Sequence, residues 1–211
     1  MKYRVLLTVF MCLAIVTGCS AGKVRMSDVR ESTIGINRDG TVSEVVIESF
    51  DQDYYSLSEL TDYVNEQVDA FNQANPQEQP ENRKADAGEL TAVTVQDVSE
   101  DTEEKTARLA LDYLNMDVYN LFNGTGLEFL DMEEAVLDER IAALADLISV
   151  KTGEKVAFGE IAGSDNLRVV CTDEPLRIRT GGKIVYYSKA VSLIDAKTAL
   201  TADGQSVIVF K

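Results

Sequence analysis

The residues best suited to chemistry in this chain are carboxylates. Glu44, Glu48, Asp51 and Asp53 crowd the end of one β-like stretch, with Tyr54 and Tyr55 directly after them. Glu44 and Glu48 lie four apart on an extended backbone, which puts them on one face but about 13 Å apart, too far to share an ion without a neighbouring strand. Asp51-Gln52-Asp53 offers two hard oxygens to a cation, but it lacks the glycine turn and distant bidentate glutamate of a calcium loop. Glu48, Asp51 and Asp53 are thus candidates for weak cation binding, against the plainer reading of a solvated face leading into a helix. Tyr55, Tyr186 and Tyr187 are candidate contact aromatics; the last two are neighbours in a β-like stretch, so one should pack while the other faces outward. Tyr113, Tyr119 and Phe122 surround a turn and either line a groove or seal a core.

The chain has no histidine. That removes Ser-His-Asp and Cys-His machinery, histidine zinc sites and the usual near-neutral proton shuttle in one step. What survives for an enzyme is a pair of carboxylates roughly 5–9 Å apart in a cleft, one with a raised pKa. Gly124-Thr125-Gly126 lacks the fuller glycine pattern and the Lys-Ser or Lys-Thr of a phosphate loop, so no cofactor is expected. Of three cysteines, Cys12 and Cys19 lie near the N-terminus and Cys171 sits among valines. Cys171 reads as an inert strand residue, since a nucleophilic thiol wants a base beside it.

Cys19 differs because of what precedes it. Lys2-Tyr3-Arg4 is followed by twelve uncharged residues, Val5 to Val16, and then Thr17-Gly18-Cys19. The apolar run is too short to span a bilayer, which needs about 20 residues, and has the layout of an export signal. Val16-Thr17-Gly18-Cys19 resembles the lipobox of bacterial lipoproteins. The resemblance implies a diacylglycerol on the Cys19 thiol, cleavage before it, and a two-chain anchor in the outer face of the cell membrane. An ordinary signal cut near Ala21 and a retained hydrophobic anchor are the alternatives.

Loss of residues 1–18 removes Lys2 and Arg4 and leaves 193 residues with a formal charge of −18 instead of −16. A chain that long buries roughly 70 % of its unfolded surface, enough for one good core or two small ones. Between Asp51 and Glu104 fifteen acidic residues face only Arg83 and Lys84 until Lys105, a field that disfavours nucleic acid and leaves an envelope protein, a basic wall polymer or a divalent cation as partners. Residues 19–31 read as lipidated N-terminus and spacer, 32–150 as an α+β region with an exposed loop at 75–89, and 151–211 as a β-rich region of the same or a second domain.

The elements that would position these residues follow from periodicity. Asp39-Gly40 joins strands at Thr33–Ile36 and Thr41–Phe50 in a hairpin. Ser56, with Glu59 three residues on, caps a helix whose stripe is Leu57, Leu60, Val64, Val68 and Phe71, expected against that hairpin. Leu90–Val98 and Thr106–Tyr113 form a second hairpin, and Asn115 or Asp117 opens a short helix stopped by Asn123-Gly124. Asp131 and Glu134 open a helix expected to reach Ser149, with a break near Asp138. The stretches 156–161, 167–172, 176–179, 184–187, 191–194 and 206–210 are β-like, with Thr180–Lys183 as a hairpin turn. The fold class is α+β: an antiparallel sheet of hairpins with two main helices on one side, followed by a meander of short strands.

Gly40-x-Val42, the Glu44–Glu48 strand, Phe50-Asp51-x-Asp53-Tyr54-Tyr55 and the Leu60 helix resemble a group of uncharacterised lipoproteins from Clostridia-type Gram-positive gut bacteria. The resemblance covers residues 32–75 most firmly and implies an envelope location; it carries no activity or catalytic residue. The expected function is a lipid-anchored extracytoplasmic protein with a binding or structural role; the alternative is a wall- or glycan-directed hydrolase using paired carboxylates. Cys19→Ala should leave the leader uncut or release the protein, which metabolic labelling with a palmitate analogue reads directly; labelling equal to wild type would defeat the assignment.

Overall fold

A computed structural model describes residues 26–27, 29–77, 90–143, 146–163 and 166–211. The leader, Cys19, residues 78–89 of the expected loop, and Leu144 lie outside the described residues.

Strand β1 (Thr33–Ile36) pairs antiparallel with β2 (Val42–Ser49) across the expected turn. Gly40 there has φ +83°, a conformation that glycine takes without penalty. Helix α1 (Leu57–Ala74) is capped by Ser56, whose side chain accepts from the Glu59 amide. The second hairpin is β3 (Val93–Asp101) with β4 (Thr106–Tyr113), kinked by a bulge between Val95 and Asp97. Helix α2 (Met116–Asn123) starts on Asn115 and ends on left-handed Gly124.

Strand β5 (Glu128–Asp131) runs into α3 (Met132–Leu137), which Asp131 and Glu134 open with a reciprocal capping box. The break expected near Asp138 is present, and the helix does not resume to reach Ser149. Asp138 breaks it and caps α4 (Glu139–Ala142), and residues 147–149 become β6 (Leu147–Ser149). Leu147 is fully buried and Ile148 pairs with Tyr187, so strand pairing outweighs the helical spacing of Leu137, Ile141 and Ile148. The 156–161 stretch likewise splits, into β7 (Lys155–Val156) and a helical turn, α5 (Phe158–Ile161). The remaining strands are β8 (Arg168–Thr172), β9 (Arg177–Thr180), β10 (Ile184–Tyr187), β11 (Ser192–Leu193), β12 (Thr198–Leu200) and β13 (Ser206–Phe210).

These strands make two sheets. The first has seven strands in the order β11-β12-β9-β1-β2-β4-β3; the second has six, β5-β8-β13-β10-β6-β7. The α+β class holds, with one parallel pair, β1 with β9, in the otherwise antiparallel first sheet. The short C-terminal strands are dealt to both sheets. Thr180–Lys183 is accordingly a crossing between sheets and not a hairpin turn, since β9 and β10 belong to different ones.

The inner face of the first sheet alternates as its sequence predicts. Ile36, Val42, Leu111, Tyr113 and Ile178 are buried in one cluster with Val170, Ile208 and Phe210 of the second sheet. The second sheet's other face, Val169, Cys171, Val207 and Val209, packs with Met132, Ile141, Phe158 and Ile161 from α3 to α5. That two-sided cover explains why β13 is buried at every position, as a central strand covered on both faces should be. Helix α1 lies against β3 and not, as expected, against the first hairpin; Asn72 fastens it there, its amide donating to the Val93 carbonyl and accepting from the Val93 amide, both at 2.9 Å.

Gly182 marks the tightest crossing. A Cβ there would fall 1.8 Å from the Lys211 carbonyl oxygen, beside paired backbone bonds between Lys183 and Lys211. Gly182→Ala should therefore destabilise the fold by about 1–3 kcal/mol, the range for forced overpacking, measured as a lowered urea midpoint; an unchanged midpoint would mean the β13 end moves freely.

Candidate functional site

The hydroxyls of two buried tyrosines converge on one carboxylate. Glu44 stands on the inner face of β2, opposite Leu111 in β4 and Ile34 in β1. Tyr113 donates to Glu44 Oε2 at 2.6 Å and Tyr119 donates to Oε1 at 3.4 Å, while Asn123 Nδ2 donates to the Tyr113 hydroxyl at 3.2 Å. Each partner is positioned by local chemistry. Tyr113 ends the second hairpin, and α2 presents Tyr119 and Asn123 one helical turn apart. The loop after α2 is held by Asn120, whose amide donates to the Leu127 carbonyl and accepts from the Leu127 amide and the Thr125 hydroxyl.

The electrostatics follow from burial. Glu44 is half-buried, and desolvation raises its carboxyl above the ordinary value although the tyrosine and asparagine hydrogen bonds pull the other way. Tyr113 and Tyr119 are raised too, by burial first and then by the neighbouring carboxylate, which keeps both hydroxyls protonated as donors.

Beside this cluster runs an apolar groove of about 490 Å³ between α1, β4 and α2, lined by Tyr63, Val64, Phe71, Leu109, Leu111 and Phe122 among others. Edge-to-face aromatic contacts link its wall to the carboxylate: Phe71 to Phe122 at 5.0 Å, Phe122 to Tyr113 at 5.7 Å, and Tyr113 to Tyr119 at 5.0 Å. Tyr63 is 60 % exposed on the groove's α1 side and Leu121 of α2 is 63 % exposed. Glu59 and Glu66 are exposed on α1 one turn from the groove residues Tyr63 and Ala70, and Glu48 is exposed on β2, which pairs with the β4 wall.

Of the residues singled out by sequence, Glu44, Tyr113, Tyr119 and Phe122 come together here, and the candidate cation ligands do not join them. Glu48, Asp51 and Asp53 are exposed, and Asp51 Oδ1 accepts from Gln52 at 2.7 Å. Among the described residues no group of three or more His, Cys, Asp or Glu could hold a metal ion. Tyr55 is 43 % exposed and stacks on Phe50 at 5.0 Å, with Tyr54 edge-on at 4.9 Å. Tyr186 and Tyr187, expected one packed and one exposed, are both half-buried, each against a different hydrophobic cluster. The physical reason is that β10 lies inside the second sheet, whose two faces are both covered. Cys171 is buried in β8 with its thiol pushed up to about 12, chiefly by desolvation, far from a nucleophile's range. Tyr113, Tyr119 and Phe122 serve both readings offered for them, since the tyrosines are buried and Phe122 lines the groove.

Sequence reasoning placed Glu44 in a carboxylate cluster and missed its pairing with Tyr113 and Tyr119. The signal that could have found that pairing is register: Glu44 shares a face with Val42 and Val46, and the pairing of β2 with β4 brings Leu111 and Tyr113 onto that same face.

Because folding raises the Glu44 pKa, the native state holds this proton more tightly than the unfolded chain. Wild type should thus gain stability relative to Glu44→Gln as pH falls from neutral through the folded pKa, and the gain should be complete below the unfolded value near 4.5. Tyr113→Phe, which strips the shorter hydrogen bond from a half-buried carboxylate, should cost about 1–3 kcal/mol at neutral pH. Thermal melts of the variants across that pH range check both; parallel curves for wild type and Glu44→Gln would show that burial does not perturb this carboxyl.

No protein-family model, no curated protein and no solved structure matches the chain.

Proposed function

We propose that the chain is a lipid-anchored extracytoplasmic binding protein whose contact surface is the groove between α1, β4 and α2. The observation that carries this reading is the groove itself: an apolar channel of about 490 Å³ that joins a half-buried carboxylate through one aromatic wall. Apolar channels with a few placed polar groups are the usual form of a ligand site. The lipobox-like Val16–Cys19 run supports the anchor, and among the described residues no helix is long and apolar enough to cross a membrane.

The groove's chemistry selects its ligand. An amphipathic peptide segment from an envelope protein, apolar on one face and bearing lysine or arginine, would lay its apolar side on Leu109, Leu111 and Phe122 and its cations on Glu48, Glu59 and Glu66. An acidic segment would meet the like-charged border of a chain with formal charge −16. The hydrolase reading draws less support, because both Glu44 oxygens already accept tyrosine hydroxyls and a glycosidase needs a second converging carboxylate.

Ala70 is exposed on the groove wall, so Ala70→Trp fills the channel without touching the core. Calorimetry with an amphipathic Leu/Lys peptide should give binding to wild type and at least about tenfold weaker binding to Ala70→Trp, a loss of about 1.4 kcal/mol. A Leu/Glu peptide should not bind. Equal affinity of the two variants for the Leu/Lys peptide would remove the groove from the account.

A further inference from the structure

We infer that the loop joining β2 to α1 is a second contact site, separate from the groove, where Phe50, Tyr54 and Tyr55 take arginine side chains of a basic polypeptide. The three rings form one surface. Phe50 and Tyr55 stack with centroids 5.0 Å apart and planes 29° apart, and Tyr54 stands against Tyr55 at 4.9 Å and 73°. Phe50 is half-buried, whereas Tyr54 is 76 % exposed. None of the three belongs to either hydrophobic cluster, so the packing of the interior does not account for them.

Backbone bonds hold this surface in place. The Phe50 amide donates to the Lys105 carbonyl at the tip of the second hairpin at 2.7 Å, and the Tyr55 amide donates to the Gln52 carbonyl at 3.0 Å. Gln52 Nε2 donates to Asp51 Oδ1 at 2.7 Å, and Ser56, directly after Tyr55, caps α1. The rings are thus presented on a fixed turn, which lowers the ordering cost of binding.

Charge selects the ligand. Asp51 and Asp53 are exposed within the loop, and the adjoining hairpin tip exposes Asp101, Glu103 and Glu104, with Lys105 the one cation in either turn. Hydrogen bonds from Gln52 and Ser49 hold the Asp51 carboxyl below the usual carboxylate range, with Lys105 a smaller contribution, so Asp51 is ionised at neutral pH. The negative face of an aromatic ring attracts a cation, and neighbouring carboxylates add to that field. A guanidinium suits both, because its planar fork stacks on a ring while donating to a carboxylate. A neutral sugar is indifferent to the net charge of the two turns, and a polyanion or an anionic headgroup is repelled by it.

The test uses the full-length protein in neutral detergent micelles with meta-fluorotyrosine in place of tyrosine; Tyr54→Phe and Tyr55→Phe assign the two fluorine signals. An acetylated Arg-Gly-Arg amide should shift both signals saturably, and its citrulline counterpart, alike in shape but uncharged, should shift neither. Tyr54→Ala, read on the Tyr55 signal, should weaken binding about two- to fivefold. Asp53→Asn, which leaves all three rings in place, should weaken it as well. Equal shifts with the citrulline peptide, or unchanged affinity in either variant, would overturn the inference. Saturable shifts with a chito-oligosaccharide and none with the arginine peptide would make the loop a sugar platform instead. Ala70→Trp should leave the arginine titration unchanged, which separates this site from the groove; a matching loss there would move the peptide into the groove and defeat the assignment.

Discussion

Strand β1 is bonded on both edges, antiparallel to β2 and parallel to β9, in registers that put Ile34 beside Glu44 on one side and Ile178 on the other. This double pairing joins the N-terminal hairpins to strands from the end of the chain, and the rest of the architecture depends on it. Once β9 is fixed beside β1, the crossing at Gly182 sends the chain directly into the second sheet. The second sheet then packs its Val170, Ile208 and Phe210 with Ile36, Val42 and Ile178 of the first. Parallel pairing between segments this far apart costs loop-closure entropy, and the apolar surface buried between the sheets offsets it.

Two different covers share one sheet face as a result. The second sheet packs with the β1 and β9 side, and α1 lies against β3 at the edge. Neither cover extends fully over β4, and the groove is the space left between α1 and α2 above Leu109 and Leu111. Glu44 stands where the covers meet, too enclosed to be freely hydrated and too polar to belong to either. A half-buried carboxylate is tolerated only with donors in place, and the two tyrosine hydroxyls supply them. Replacing such a cluster with well-packed apolar side chains is often neutral or stabilising. Stability alone therefore does not account for a glutamate at this seam, which is the physical ground for reading the seam as functional.

Local signals in the sequence reach as far as local forces do. Ser56, Asn115 and Asp131 each cap the helix they were expected to open, because a cap is a contact with a residue three positions away. The hairpins of β1 with β2 and β3 with β4 are legible for the same reason. Leu147 to Ser149 is not, because its helical spacing is overridden by β7 and β10, which pair with it from outside its own segment. Thr198–Leu200 carries too little pattern to mark β12, which forms because β9 and β11 flank it. The pairing of Glu44 was obscured by separation as well. Its partners Tyr113 and Tyr119 lie 69 and 75 residues away, and period-two alternation alone cannot tell a glutamate in water from one under a tyrosine.

The two faces of the first sheet use charge in opposite ways. On the outer face Arg108 donates to the Met26 and Val29 carbonyls and Arg177 pairs with Glu31. On the inner face the polar work falls to Glu44, Tyr113, Tyr119 and Asn123, with no histidine in the chain to join them. Tyrosines raised by burial do not ionise near neutrality, so the carboxylate is the one member of that cluster whose charge can change. Its charge is also coupled to the wall of the groove, because Tyr113 touches Glu44 at its hydroxyl and Phe122 at its ring. A cation drawn to the groove would favour the ionised form of Glu44, and ionised Glu44 would in turn strengthen both tyrosine hydrogen bonds. The charge of anything bound there and the packing of α2 on the sheet would therefore be linked through one side chain.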